Sequence, residues 1–146
     1  MTDDTSYGNH LGHSVKRLYL LMGQYFNEVL RPYGVAQSQW YMLLYIHHYT
    51  EVTQKDLQDI LQVTSATLTA AINALERKGW VTRTQSEADR RVKVLKLTPA
   101  GIELWESLPD PIAAIRAQML KGISVEEEQI ARQILDRAIQ NFEQLS

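Results

Sequence analysis

Residues 64–101, TSATLTAAINALERKGWVTRTQSEADRRVKVLKLTPAG, decide the fold of this chain. They read as a helix over about 65–78, a tight stop, a two-stranded hairpin and the start of another helix. Leu68, Ala71, Ile72 and Leu75 recur at i, i+3, i+4 and i+7, the stripe of a helix with one buried side. The other side holds Ser65, Ala66, Thr67, Thr69, Ala70 and Asn73, all small or polar and none charged. A helix facing only water would carry more Glu and Lys. Small hydroxyl and amide groups suit a helix that lies in a groove against base edges and phosphates. A merely Thr-rich exposed helix is the plainer alternative, and context decides between them. Gly79 is the expected left-handed cap. Trp80–Gln85 and Val92–Leu97 are rich in β-branched residues and read as strands. The polar link Ser86–Arg91 joins them as a hairpin whose tip carries two consecutive arginines. Alternation slips at Val94-Leu95, which predicts a bulge or burial on both faces. Thr98-Pro99 restarts a helix, with Thr98 as N-cap and Pro99 at the first helical position.

Upstream, Thr53-Gln54-Lys55-Asp56-Leu57 opens a short helix with Thr53 as N-cap and Asp56 near its positive end. Leu57, Ile60 and Leu61 are its expected buried face, and Thr64 opens the next helix after a very short turn. Before it, residues 37–48 form a helix with Trp40, Leu43, Leu44 and His47 on one side. Residues 10–31 form a longer one, stopped by Pro32-Tyr33-Gly34. Its broad apolar stripe (Leu11, Val15, Leu18, Met22, Phe26 and neighbours) fits packing within the domain or against another subunit equally well. Downstream, Leu108-Pro109-Asp110-Pro111 must kink or interrupt the helix begun at Pro99. The helix resumes with Ile112, Ile115 and Met119 and stops at Lys121-Gly122. Ser124-Val125-Glu126-Glu127 is a capping box for a last helix with Ile130, Ile134, Ala138 and Phe142 on one stripe.

The fold class is therefore mainly α with a small β-hairpin wing: a winged helix-turn-helix flanked by helices that suit a dimerisation lobe. In this order a recognition helix serves the major groove, and a basic loop serves the adjacent minor groove or backbone. The 146 residues carry a formal net charge of −2, but residues 53–98 hold eight basic and five acidic side chains, a local +3. A basic middle between acidic ends is the footprint of a DNA-reading lobe on another scaffold. There are no cysteines, so thiolate metal sites and thiol redox switches are excluded. The polar start Met1-Thr2-Asp3-Asp4-Thr5-Ser6 lacks the basic and apolar regions of a signal peptide. No apolar run approaches the ~18 residues of a membrane span. A soluble, cytoplasmic protein without membrane contact is expected.

The wing carries a specific resemblance. Asp89-Arg90-Arg91 followed by Val92–Leu97 and Thr98-Pro99-Ala100-Gly101 resembles the D-x-R, strand, L-T-x-x-G signature of the MarR family of transcriptional regulators. Leu75-Glu76-Arg77-Lys78-Gly79-Trp80-Val81 is similar to that family's helix-to-strand junction. Thr53–Leu57 is similar to its third helix, and Val35-Ala36-Gln37-Ser38-Gln39-Trp40 to its second-helix entry. The resemblance spans about residues 10–145. It implies a homodimer on palindromic double-stranded operator DNA, usually a repressor, often released by a small aromatic or amphipathic effector. It divides the chain into 1–34 and 99–146, supplying the dimerisation lobe, and 35–98, the DNA-binding winged helix. It implies DNA-binding roles for Thr53, Gln54, Thr64, Ser65, Ala66, Thr67, Thr69, Ala70, Asn73, Arg77, Asp89, Arg90, Arg91 and Lys93. Arg91 would enter the minor groove, oriented by Asp89, while Arg90 meets backbone. An effector pocket would be walled by Tyr25, Trp40, Leu44, His47 and Ile112, residues that serve equally as ordinary core. Ala70 stands where the family often has a basic residue, and Ala36 where a Thr or Ser cap is common.

An enzyme is not expected, since no nucleophile–base pair, phosphate-cradling glycine loop or metal spacing occurs. No catalytic residue, metal or cofactor is assigned. Two alternatives stand beside the main reading. One is a zinc-responsive regulator of the same fold, for which only His10 and His13 share a face, His47 and His48 being adjacent. The other is a winged helix that binds only protein, which would not need Asp89-Arg90-Arg91.

Overall fold

The computed structural model describes residues 8–145. The acidic N-terminal stretch read above for targeting, Met1–Ser6, lies outside the described residues. The elements are α1 (Leu11–Leu30), a 3-10 turn (Arg31–Tyr33), α2 (Gln37–His48), α3 (Gln54–Leu61), α4 (Ser65–Arg77), β1 (Val81–Gln85), β2 (Lys93–Leu97), α5 (Pro99–Ser107), α6 (Pro111–Met119) and α7 (Val125–Glu143). The chain divides into two compact units, one ending at Pro109 and the other beginning at Asp110.

The core of the first unit forms where the apolar stripes of α1 to α4 meet the hairpin. Phe26, Leu30, Leu43, Leu57, Leu68 and Ile72 are among its buried side chains. The stripe of α4 is as the spacing predicts: Leu68, Ile72 and Leu75 are buried and Ala71 half-buried. In α3, Leu57 is buried but Ile60 is 37% exposed, so the expected three-residue face shrinks to one full anchor. Leu61, one turn on from Leu57, is half-buried on the same face, and Ile60 falls at the edge of that face. Helix α4 ends in a Schellman motif. The Gly79 N–H donates to the Glu76 carbonyl and the Trp80 N–H to that of Leu75, with Gly79 at φ +78°.

β1 and β2 pair antiparallel from Val81 opposite Leu97 to Gln85 opposite Lys93. Val94 and Leu95 are both 2% exposed, so the slip in alternation is two-sided burial within an unbroken register. On the edge of β2 away from β1, the Val52 carbonyl accepts from the Leu95 N–H at 2.8 Å and extends the sheet by one bridge, while α2 packs against β2. Thr98 caps α5 by accepting from the Gly101 N–H, and its own N–H reaches back to the Trp80 carbonyl at 3.0 Å.

Ala36 cannot cap α2 with its side chain. The Asn27 side-chain oxygen, reaching from α1, accepts from the Gln37 N–H at 2.9 Å, and Gln39 folds back onto the Ala36 N–H. A neighbouring helix thus satisfies a donor that a Ser or Thr would ordinarily take. The Leu108–Pro111 stretch interrupts rather than bends: α5 ends at Ser107, Leu108 is extended, and Asp110 caps a new helix begun by Pro111.

Most of the α1 stripe is bare in the single chain. Phe26 and Leu30 are buried, while Leu11, Val15, Leu18 and Leu21 are exposed. In the second unit, α7 buries none of its residues, and Ile130, Ile134 and Phe142 lie open along it. No helix among the described residues is long and apolar enough to cross a membrane.

Candidate nucleic-acid interface

The interface is built from α3, α4 and the wing. Thr64 precedes α4 in extended conformation, and its hydroxyl both accepts from the Thr67 N–H and donates to the Thr67 hydroxyl at 2.8 Å. That local bonding starts the helix cleanly at Ser65. Ser65, Ala66, Thr67, Ala70 and Asn73 then form an exposed, uncharged surface, with Arg77 exposed at its far end. Thr69 is half-buried. Its hydroxyl accepts from the Gln54 side-chain amide at 2.7 Å, and the Gln54 carbonyl accepts from Arg83 at 3.1 Å. Arg83 also pairs with Glu76 at 2.6 Å. One network thus joins α3, α4 and β1, and it fixes which end of the Gln54 amide faces Thr69. Thr53, the other α3 residue expected at DNA, is held in a reciprocal capping box with Asp56.

The wing carries the charge. The Asp89 carboxylate accepts from the Arg91 backbone N–H and from its guanidinium at two atoms, at 3.0 to 3.1 Å. The Arg91 guanidinium holds the Asp89 carboxyl below its ordinary range, and the carboxylate in turn raises the Arg91 pKa. The Arg91 side chain nonetheless remains 90% exposed. Asp89 holds one edge of the guanidinium, and the side chain is otherwise open to solvent. Arg90 and Lys93 are exposed beside it and carry no ion pair among the described residues.

Two residues that the sequence did not single out hold this loop. Ser86 is buried, donates to Glu51 at 2.7 Å, and accepts from the backbone N–H groups of Ala88 and Asp89. Glu51 also accepts from the Glu87 N–H at 2.9 Å, and the Ser86 hydroxyl bond is the main reason its carboxyl sits below the usual range. The Ser86-x-x-Asp89 spacing at the loop start is a readable turn signal. Glu51, thirty-five positions away, offers none.

A protein-family model described as the MarR family matches residues 35–93, the helix-turn-helix and most of the wing. An uncharacterized HTH-type transcriptional regulator of Bacillus subtilis (strain 168), YwoH, is 32% identical over 125 residues, covering 85% of this chain and 90% of the relative. The chain belongs to the MarR family. A second B. subtilis HTH-type transcriptional regulator, YdgJ, is 32% identical over 75% of this chain and 66% of its own length. Among solved structures, a mutant MarR from E. coli complexed with operator DNA has a TM-score of 0.77 at 23% identity, covering 94% of this chain and 99% of that one. The S. aureus MepR–DNA complex gives 0.77 and 23%, covering 90% and 98%. At these identities the likeness establishes the MarR winged-helix fold and no more.

The residues expected to wall a pocket in this MarR-family chain are not alike. Trp40 is buried in an aromatic cluster, 5.4 Å from Phe26, 5.1 Å from Tyr41 and 5.6 Å from Trp105 between ring centroids. His47 lies against Trp105 at 5.5 Å but is exposed, Leu44 is half-buried, and the buried side of α2 is Trp40, Met42, Leu43 and Ile46. Tyr25 is exposed, and Ile112 is exposed in the second unit. Trp105, unnoticed in the sequence, joins Trp40 to His47. A separate open cleft of about 390 Å³ is lined by Asn27, Glu28, Arg31, Val35, Gln39 and Lys78 among others, and includes none of the five. His10 caps α1 by accepting from the His13 N–H.

Proposed function

We propose that this chain is a cytoplasmic, sequence-specific regulator of transcription that binds palindromic double-stranded operator DNA as a homodimer. In this reading it acts as a repressor until a small aromatic or amphipathic molecule releases it. The observation that carries the reading is the pairing of two surfaces. The outer face of α4 is exposed, small and uncharged, and the neighbouring hairpin presents an exposed Arg91 whose guanidinium is held along one edge by Asp89. An uncharged helix face can approach base edges without fixed charges to desolvate. Ser65, Ala66, Thr67, Thr69, Ala70 and Asn73 supply that face, with Thr53, Gln54 and Thr64 beside it. Arg91 enters the minor groove, while Arg77, Arg90 and Lys93 meet phosphates, the contacts that set affinity and its salt dependence. With no basic residue at Ala70, recognition leans on the wing and on DNA shape.

Residues 35–98 are the DNA-binding part in this reading, and 1–34 and 99–146 the dimerisation part. The bare apolar stripes of α1 and α7 support it, since soluble monomers rarely leave contiguous apolar surface of this kind uncovered. The effector site is assigned, within the first unit, to Tyr25, Trp40, Leu44 and His47. An inducer needs only about 1.4 kcal/mol of coupling to lower operator affinity tenfold, provided it prefers the DNA-incompetent form. Selection of bound duplexes from a random pool tests the DNA reading. The expected product is a pseudo-palindrome with half-sites about one DNA turn apart. A pool with no enriched sequence, or protein that sediments as a monomer at micromolar concentration while binding a single half-site, would defeat it.

A further inference from the structure

The segment Thr50–Val52 between α2 and α3 is tied to the hairpin at three consecutive residues. Lys96 Nζ donates to the Thr50 carbonyl at 2.6 Å, and the Val52 carbonyl accepts from the Leu95 N–H at 2.8 Å. Between them, Glu51 reaches the root of the wing. One of its carboxylate oxygens accepts from the Ser86 hydroxyl at 2.7 Å and the other from the Glu87 N–H at 2.9 Å. Because the Ser86 proton points at Glu51, both lone pairs of its oxygen are left to accept from the Ala88 and Asp89 N–H groups, at 3.1 and 3.2 Å. Asp89 then grips Arg91 through three bonds. An unbroken hydrogen-bonded path therefore runs from the helix-turn-helix body through Glu51, Ser86 and Asp89 to the wing guanidinium. A carboxylate matches this place chemically. It offers two acceptors and no donor, where an amide would set an N–H against one of two N–H or O–H donors.

We propose that Glu51 is a positioning residue for DNA binding: its clamp on Ser86 and Glu87 fixes where the wing carries Arg91 relative to the recognition helix α4. It touches no DNA and acts through the wing. This rests on the DNA-binding reading above, and the consequence is specific. Without the clamp the wing remains attached through its strands, but the Asp89 end of the loop shifts, and Arg91 no longer meets the groove together with α4.

The test compares wild type, Glu51→Gln and Ser86→Ala, each alone and combined with Arg91→Ala. The probe is a duplex enriched from a random pool by the wild-type protein. Glu51→Gln should lower affinity about tenfold and flatten the slope of log K against log salt by about one per protomer, with sedimentation unchanged. On the Arg91→Ala background the same change should cost less than about twofold, because two residues acting through one contact are not additive. Ser86→Ala should reproduce both results, so that a folding defect peculiar to one variant does not decide the matter. Amide exchange of Glu87, Ala88 and Asp89, measured without DNA, should accelerate in both variants. Wild-type affinity and slope in Glu51→Gln, or an equal loss on both backgrounds, would overturn the proposal alone. Failure of the wild-type protein to enrich any duplex would overturn the DNA reading and the proposal with it, even if the amides of the wing exchange faster.

Discussion

Replacing Gly101 by Ala should unfold this protein far more readily than a one-carbon change suggests. A Cβ at Gly101 would run into the carbonyl oxygen of Trp80, and would also lie 3.0 and 3.2 Å from that residue's carbonyl carbon and Cα. The obstacle is backbone, so no side chain can turn away to relieve it. Trp80 is itself held by the Schellman bond to Leu75, and its carbonyl already accepts from the Thr98 N–H. The first turn of α5 must therefore lift from the start of β1. Overpacking of this kind costs about 1–3 kcal/mol, and losing the Thr98–Trp80 bond adds about 1 kcal/mol. The expected loss is about 2–4 kcal/mol, a large part of the ~5–15 kcal/mol that such a protein has. Urea unfolding at fixed protomer concentration measures it, as a lower midpoint with the slope unchanged. Thr98→Val, which removes the cap on the Gly101 N–H and the hydroxyl's bond to the Gly79 carbonyl at nearly the same volume, should cost about 1–2 kcal/mol. A Gly101→Ala midpoint within about 0.5 kcal/mol of wild type would show that the contact between the α5 start and Trp80 does not constrain the fold.

Further outcomes follow from the site. Arg91→Ala should weaken binding to an enriched duplex about ten- to a hundredfold while the sedimentation coefficient stays that of the wild type. Glu76→Gln should remove the charge partner of Arg83 and cost about 1 kcal/mol in urea unfolding, since both side chains are about a third exposed. The carboxyls of Glu51 and Asp89 are held below their ordinary range, by the Ser86 hydroxyl and the Arg91 guanidinium respectively. A depressed carboxylate contributes stability above its unfolded pKa and loses it as pH falls through the folded value. The amide resonances of Ala88 and Asp89 should therefore hold steady from neutral pH down to about pH 4 and move only below it. Small aromatic acids or phenols that release the duplex should quench tryptophan fluorescence in the same concentration range. Quenching without release would separate the Trp40 cluster from the switch.

Local rules made most of this fold legible. Thr53, Thr64, Thr98 and Ser124 announce four helix starts, and each caps the helix that it precedes. Gly79 announces the turn into β1, and the period of Leu68, Ile72 and Leu75 fixes which side of α4 is outward. Distance along the chain marks what could not be read. The partner of Ser86 is Glu51, the partners of Gln54 are Thr69 and Arg83, and the cap of α2 comes from Asn27. Each depends on packing that brings separate elements together, and no spacing rule encodes it. Ile60 stands at helical spacing from Leu57 yet lies exposed, because it falls at the edge of the face that Leu57 and Leu61 share. The slip at Val94-Leu95 is visible, but the helix that packs against β2, α2, lies more than forty positions away.

Hydroxyl-radical footprinting of the wild-type protein and Arg91→Ala on one enriched duplex tests the central claim most directly. Recognition by α4 in the major groove with the wing alongside predicts protection related by a two-fold axis, in two blocks about one turn apart. Arg91→Ala should lose only the flanking protection on each side, where the wing meets the minor groove. A single unsymmetrical block, or an Arg91→Ala footprint identical to the wild type at saturating protein, would contradict the account.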